Sequence, residues 1–252
     1  MDHLLLLNWS TLPFYKKIRI YSNSLTAHHS NYVDKINAKQ LAKEQCPEIE
    51  VAPIIRILAN HEDIHLSDIN TNHILKSAHG CGWNHAFTLG TPSQAELDII
   101  KTKLVSWNKK YKSDSNEPQY QYIEPRFYIE EKIEDSILGH TSKAIVYMVR
   151  CIRGEPVSIG VSHERKMNHY DINWKPISSP NIKIHIPKPK NLEKLIQFAR
   201  ELSKPFEFVR MDFYLSSDKI YLSEYTFTPA GGNPVLSDHL EYSLGAKWIR
   251  KK

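Results

Sequence analysis

Apolar and polar positions alternate most clearly between Val209 and Thr226. Val209, Met211 and Phe213 interleave with Arg210, Asp212 and Tyr214, and after the turn Ser216-Ser217-Asp218 a second β-branched and aromatic run ends at Tyr225-Thr226. Strand side chains repeat with period two, so this pattern predicts a hairpin. Arg210 and Asp212 share one face of its first strand, and Glu224 and Thr226 share one face of its second. Elsewhere a helix is expected from Asp34 to Glu44, with a basic face at Lys35, Lys39 and Lys43 and Pro47 closing it. Ser93 caps a second helix whose Leu97, Ile100, Leu104 and Trp107 form one stripe. A third begins at Asn191, with Leu192, Leu195, Ile196, Ala199 and Leu202 inward. Ile18–Tyr21, Ile74–Lys76, Arg126–Glu131, Ala144–Ile152 and Val157–Val161 read as strands, and Ile54–Leu58 as a short apolar segment. Residues 112–122 are the clearest linker, and a Pro-rich passage occupies 176–189. With no internal repeat, the pattern is a mixed α+β chain of two lobes.

Composition narrows this little. The 252 residues have the apolar content of an ordinary globular protein, and their formal charge of +5 favours anionic partners. Three scattered cysteines, Cys46, Cys81 and Cys151, speak against a disulfide framework or thiolate zinc site and for a reducing cytoplasm. Leu4–Leu7 is too short for a signal peptide or a membrane span. Lys103, Lys109, Lys110 and Lys112 are the best support for a glycan- or nucleic-acid-binding surface, but no nucleic-acid motif accompanies them and they equally fit one solvated helix face.

The chemistry concentrates in a few places. Asp212 and Glu224 on facing strands beside the Arg210 guanidinium make a hard, oxygen-rich site that suits magnesium carrying nucleotide phosphates. The plain alternative is an Arg–Asp ion pair with a nearby carboxylate. Lys76 ends a strand and leads into a loop containing Gly80 and Gly82, whose backbone N–H groups can approach a phosphate. Ile129-Glu130-Glu131-Lys132-Ile133 reads as a strand end and hinge able to meet an adenine edge and a ribose. The order of strand lysine, glycine loop, acidic hinge, Arg-x-Asp and later Glu is more telling than any one part.

With these motifs in place, the sequence resembles the TupA-like branch of the ATP-grasp superfamily, whose members sit in bacterial cell-surface polysaccharide pathways. The likeness runs from Asp34-Lys35 through Gly245 and includes Ile74-Leu75-Lys76, His79-Gly80, Gly82, Ile129-Glu130-Glu131, Tyr170-Asp171 and Asn173-Trp174. Its most specific parts are Phe208–Tyr214 and Glu224–Gly232. The resemblance implies an ATP-grasp α+β fold with nucleotide between two lobes. The expected divisions are a shortened N-terminal region (1–65), a small lobe with the Gly-rich loop (66–125) and a large lobe with the metal site (126–252). It also implies that Lys76 and the His79, Gly80 and Gly82 loop hold ATP phosphates, that Glu130, Glu131, Lys132 and Ile133 line adenine, and that Asp212 and Glu224 bind magnesium. Arg210 then stabilises the transferring phosphoryl group. The reaction so implied is ATP-dependent joining of an amine, such as an amino acid, to a carboxylate such as a uronic acid of a capsule, through an acyl phosphate. Two positions depart from the family pattern. Thr226, expected as a neutral third metal ligand, stands where an asparagine is common, and Val146-Tyr147-Met148 where an Asp-Tyr-Lys triplet is usual, with Lys143 as a substitute for the lost lysine. His163, Arg165 and Lys166 are candidates for holding an anionic glycan. Family relatives are often labelled glycosyltransferases, which is kept as an alternative, as is a glycan-binding module. From another enzyme class, His61, Glu62 and His65 match HExxH, the pattern of a zinc peptidase, although the following residues 66–72 read as a loop. Cys81 between His79 and His85 raises a thiol nucleophile, for which local spacing is poor evidence.

Overall fold

The computed structural model describes residues 9–87, 92–111, 117–138, 143–164, 166–177, 185–233 and 236–249. Its chain opens with helices α1 (Phe14–Ser22), α2 (Ala27–Val33) and α3 (Lys35–Gln45). Ile18–Tyr21 lies inside α1 and is not a strand. Phe14, Lys17, Ile18, Tyr21 and Ser22 are the buried positions, an i, i+3, i+4, i+7, i+8 series that a four-residue window cannot reveal. Asp34 starts α3 by accepting from the N–H groups of Ile36 and Asn37. Strands β1 (Glu50–Val51), β2 (Ile54–Leu58), β3 (His73–Ser77) and β4 (Asn84–Ala86) follow, then α4 (Gln94–Trp107), β5 (Phe127–Glu131), β6 (Val146–Ile152), β7 (Glu155–His163), β8 (Lys166–Tyr170), α5 (Leu192–Ser203), the hairpin β9 (Phe208–Ser216) and β10 (Lys219–Thr226), and α6 (Asp238–Lys247).

Two sheets are formed among the described residues, one in the order β2-β5-β3-β4 and one in the order β1-β10-β9-β6-β7-β8. The smaller one packs its Leu58, Leu75, Phe127 and Ile129 on Leu97, Ile100 and Leu104 of α4, a core separate from that of the larger sheet. Each such side chain, once buried, stabilises the small lobe by about 1.5–3 kcal/mol. Divisions at 65/66 and 125/126 cut through this sheet, because β2 precedes the first and β5 follows the second. The segment expected as a linker is also part of the packing from 117 onward. Tyr120 and Gln119 are buried, the Gln119 amide donates to Thr228 Oγ1, and Ser30 Oγ donates to the Gln119 carbonyl; residues 112–116 lie outside the described part.

The larger sheet has a different cover on each face. Val209, Met211 and their cross-strand partners Cys151 and Val149 point toward α5, where Leu195, Phe198, Ala199 and Leu202 are buried. Phe198 was not among the expected inward positions, and Ile196 is only half-buried. Phe208 faces the other way and meets Phe14 of α1 and Trp248 just past α6, each at 5.2 Å between ring centroids. Lys17 of α1 is buried in that contact and donates to the carbonyls of Gly245 (2.6 Å) and Trp248 (2.9 Å), so a charged group satisfies the end of α6. Past Phe208 on this same face come Arg210, Asp212 and Tyr214.

Candidate active site

The register of the β9–β10 hairpin builds the centre of the site. Near the turn, Tyr221 pairs with Tyr214 and Leu222 with Phe213. An irregularity at Ser223 then adds one residue to β10, so that Glu224 stands opposite Asp212 and Thr226 opposite Arg210. Continuing the first register would place Glu224 opposite Met211, on the apolar face, since a one-residue shift reverses every side chain. The bulge therefore puts both carboxylates on the face shared with Arg210.

Arg210 ties the group together. Its Nε and Nη2 donate to the two Asp212 oxygens at 2.7 and 2.6 Å, a bidentate pair, and Nη2 also donates to Thr226 Oγ1 at 3.2 Å and lies 3.5 Å from Glu224 Oε1. Thr226 Oγ1 donates to Glu224 Oε1 at 3.2 Å. Burial pushes the Asp212 carboxyl up to about 6 despite Arg210. Burial pushes Glu224 the same way, but Lys35 and Arg210 outweigh it and hold that carboxyl below its ordinary value.

Asp212 and Glu224 look into a cavity of about 420 Å³ between the two sheets. The opposite wall is the small sheet, where Lys76 of β3 lies 2.5 Å from Glu130 Oε1 of β5. The second Glu130 oxygen lies 2.8 Å from Lys39 of α3. Lys35 at the start of α3 also lines the cavity and donates to the Gly80 carbonyl. Its role was not foreseen, because its helix periodicity gives only a basic face, whereas the bond between the Lys35 N–H and the Ala78 carbonyl fixes it beside the loop. Gly82 lines the cavity with φ of +72°, a left-handed conformation that glycine adopts without strain. Of the hinge, Glu130, Glu131, Lys132 and Ile133 all line it. The N–H groups of Glu131 and Lys132 are engaged by the carbonyls of Pro53 (3.0 Å) and Asn72 (2.7 Å), so neither is open to an adenine edge.

Lys143 and His163 line the same cavity, while Lys166, opposite His163 on β8, is exposed and Arg165 lies outside the described residues. Thr226 sits behind the carboxylates and is not a lining residue. Tyr214, next on the Arg210/Asp212 face, does line it, a position the same alternation could have given.

His79 departs from expectation. It is fully buried, with Nδ1 accepting from the Arg126 N–H at 3.1 Å and Nε2 donating to the Trp107 carbonyl at 2.9 Å, so it braces the loop from behind and does not line the cavity. Burial holds its pKa below 6.5. The unfolded chain therefore takes up this proton first as pH falls, and the stability that neutral His79 confers is complete above pH 6.5 and lost on acidification below it. Urea unfolding at pH 7.5 and 5.5 is expected to show a smaller loss in His79→Gln than in the native chain, the difference reaching at most about 1.4 kcal/mol per pH unit; equal losses would contradict this.

The rival sites lose their geometry. His61 and His65 do not share a helix: residues 61–63 and 66–68 are separate 3-10 turns, His65 capping the second, and Glu62 is held by Lys101 at 2.8 Å. No cluster of three metal-ligating side chains occurs among the described residues. Though Cys81 is exposed, desolvation beside the cavity walls and the nearby Glu224 carboxylate push its thiol up, the opposite of an activated nucleophile.

Asp212 and Glu224 suit magnesium all the same, which takes one or two protein carboxylates and completes its shell with phosphate oxygens and water. Their two carboxylates, held together by one guanidinium at a cavity wall, could supply a donor set of that kind.

Comparison with known proteins agrees with this architecture. A family model described as TupA-like ATP-grasp matches residues 16–249. The fold is similar to D-alanine–D-alanine ligase from Helicobacter pylori, with 15% identity and a TM-score of 0.51 over 88% of this chain and 59% of that one. It is also similar to D-alanine–D-alanine ligase from Bacillus anthracis complexed with ATP, with 14% identity and a TM-score of 0.48 over 78% of this chain and 54% of that one. The chain thus spans little more than half the length of these enzymes. No curated protein matches the sequence.

Proposed function

Because the chain belongs to the TupA-like ATP-grasp family, we propose that it is an ATP- and magnesium-dependent ligase joining a carboxylate to an amine through an acyl phosphate. One observation carries this reading: Asp212, Glu224 and Lys76, from two different sheets, line one cavity, with Arg210 bonded behind the carboxylates. In this reading Lys76 and Lys35 draw the triphosphate between the sheets. Glu131 to Ile133 border the adenine, meeting it through side chains and the Ile133 backbone. Lys143, which lines the same cavity, would supply a ribose or second phosphate contact.

Magnesium held by Asp212 and Glu224 would neutralise the phosphate oxygens and so ease attack at the γ-phosphorus. A substrate carboxylate oxygen forms a bond to that phosphorus as the bond to the bridging oxygen breaks, and the electron pair leaves with ADP. An amine nitrogen then attacks the acyl carbon and sheds a proton, and phosphate departs with the C–O electron pair. Arg210, its charge fixed by Asp212 and Thr226, stabilises the negative charge at both stages without having to reorganise. Walls supplied by both sheets keep water from the acyl phosphate.

For substrates, the reading extends to a uronic acid carboxylate of a bacterial capsule or other surface polysaccharide and to an amino acid as amine, with the reaction in the cytoplasm. The formal charge of +5 and the position of His163 on the cavity wall support an anionic acceptor. No helix among the described residues is long and apolar enough to cross a membrane.

Calorimetric titration of ATP into the protein, with and without magnesium, tests the core of this reading. Saturable binding that needs magnesium is expected, followed by ADP release when uronic acids and amino acids are added together. Absence of ATP binding in both titrations would overturn it.

A further inference from the structure

Arg150 has no place in the mechanism above, yet it stands beside its centre. On β6 it pairs directly with Arg210 on β9 and with Ser158 on β7, on the face that carries Asp212. Only 3% of it is exposed, and its Nε and Nη1 have no hydrogen-bond partner. The neighbouring acceptors are committed or out of reach. Both Asp212 oxygens take Arg210, and Glu241 of α6, the other carboxylate acting on Arg150, uses one oxygen on the Tyr15 N–H and makes no bond to the guanidinium with the other. Ser158 Oγ beside it is likewise unbonded.

A buried guanidinium with unused donors is costly, and a second cation directly across the strand pair raises that cost. The fold also makes room for this group: a Cβ on Gly160 would lie 3.3 Å from Arg150 Nη1 and 3.1 Å from Met148 Cε. Met148 is opposite Asp212, so Arg150 is one strand repeat along from the carboxylate that lines the cavity, and behind it, since neither arginine is itself a lining residue. Two adjacent arginines, one anchored by its own carboxylate and the other with donors to spare, form a receptor for an oxyanion.

We propose that Arg150 and Arg210 together form an oxyanion seat just behind the cavity wall that Asp212 lines, in which Arg150 donates to the substrate group that accepts the phosphoryl: its carboxylate before transfer, the phosphate it carries afterwards. This rests on the ligase reading and adds a specificity-determining residue to it. Arg210 acts on charge that develops during transfer, whereas Arg150 selects an acidic substrate and fixes the oxygen that attacks.

The test loads the protein with ADP and magnesium, then titrates inorganic phosphate in one arm and D-glucuronate in the other, for the native chain, Arg150→Gln and Arg150→Lys. At least one anion is expected to bind the native complex and to bind Arg150→Gln about tenfold or more weakly, with ADP affinity unchanged. Arg150→Lys, which keeps the charge and covers a loss of folding in the glutamine variant, is expected to fall between them because it lacks the planar fork. The arm that loses more tells carboxylate from phosphate. Normal ADP binding with no anion binding in the native protein, or with equal binding in native and variants, overturns the seat alone; failure of ADP and magnesium to bind the native protein overturns the ligase reading and the seat with it.

Discussion

Asp212→Asn combined with Glu224→Gln is expected to abolish the magnesium dependence of ATP binding and to lower ligase turnover about a thousandfold. Both replacements keep the shape and a hydrogen-bond acceptor for Arg210, which reaches Asp212 at 2.6 Å and approaches Glu224 at 3.5 Å, so the hairpin retains its register. The electrostatics change sign. In the native protein two carboxylates oppose the triphosphate until a divalent cation intervenes; in the variant Lys76, Lys35 and Arg210 act without that opposition. ATP alone is therefore expected to bind the variant at least as well as it binds the native chain, and magnesium to add nothing. Proton competition gives a second readout on the native protein. Burial raises Asp212 to about 6, so magnesium affinity is expected to be level above that pH and to fall by up to about tenfold per unit below it. Calorimetry at pH 7.5 and 5.5 measures both effects. A variant that still needs magnesium, or a native affinity unchanged by pH, would remove Asp212 and Glu224 from the metal site.

These groups were visible in the sequence because they alternate on strands, where period two is hard to mistake. Arg210, Asp212 and Glu224 are close together for a reason the sequence does not display: Ser223 adds a residue to β10 and turns Glu224 away from Met211. A bulge depends on the partner strand, so alternation within β10 alone says nothing of it. Lys35 and Arg150 were missed for the same kind of reason. Lys35 belongs to a helix start that only the Ala78 carbonyl brings to the loop, and Arg150 lies in an apolar run in which one charged residue reads as an interruption. His79 shows the reverse error. Its place between strand lysine and glycine loop suggested phosphate, while the carbonyl of Trp107, 28 residues away, accepts the hydrogen bond from its Nε2. The four-residue run in α1 was too short to separate a helical from a strand period, and the burial of its Tyr21 against Phe208 and Trp248 decided it.

Glu130 was legible as part of a hinge, but its weight comes from tertiary structure and leads to the largest stability effect expected here. Its two oxygens hold Lys76 at 2.5 Å and Lys39 at 2.8 Å, and the carboxylate is almost wholly buried. Burial pushes Glu130 up, but the two lysines together outweigh it and keep the carboxylate ionised. Burial likewise pulls both lysines down; attraction to Glu130 holds Lys76 charged against it, while Lys39 also leans on the Ala52 carbonyl at 2.8 Å. Glu130→Gln leaves two buried ammonium groups facing a neutral amide and is expected to cost about 3–5 kcal/mol in urea unfolding, with the slope against urea unchanged. Removing all three charges, as Glu130→Leu, Lys39→Met and Lys76→Met in one chain, is expected to restore most of that stability, because a buried ion cluster is often matched by apolar residues of similar volume. The same triple variant is expected to lose ATP affinity by about tenfold or more, since the cation on the small-sheet wall is gone while the carboxylates on the opposite wall remain. The two measurements separate what Lys76 does for folding from what it does for the nucleotide. A stable triple variant that binds ATP and magnesium as the native chain does would make the cluster purely structural and take Lys76 out of the phosphate site.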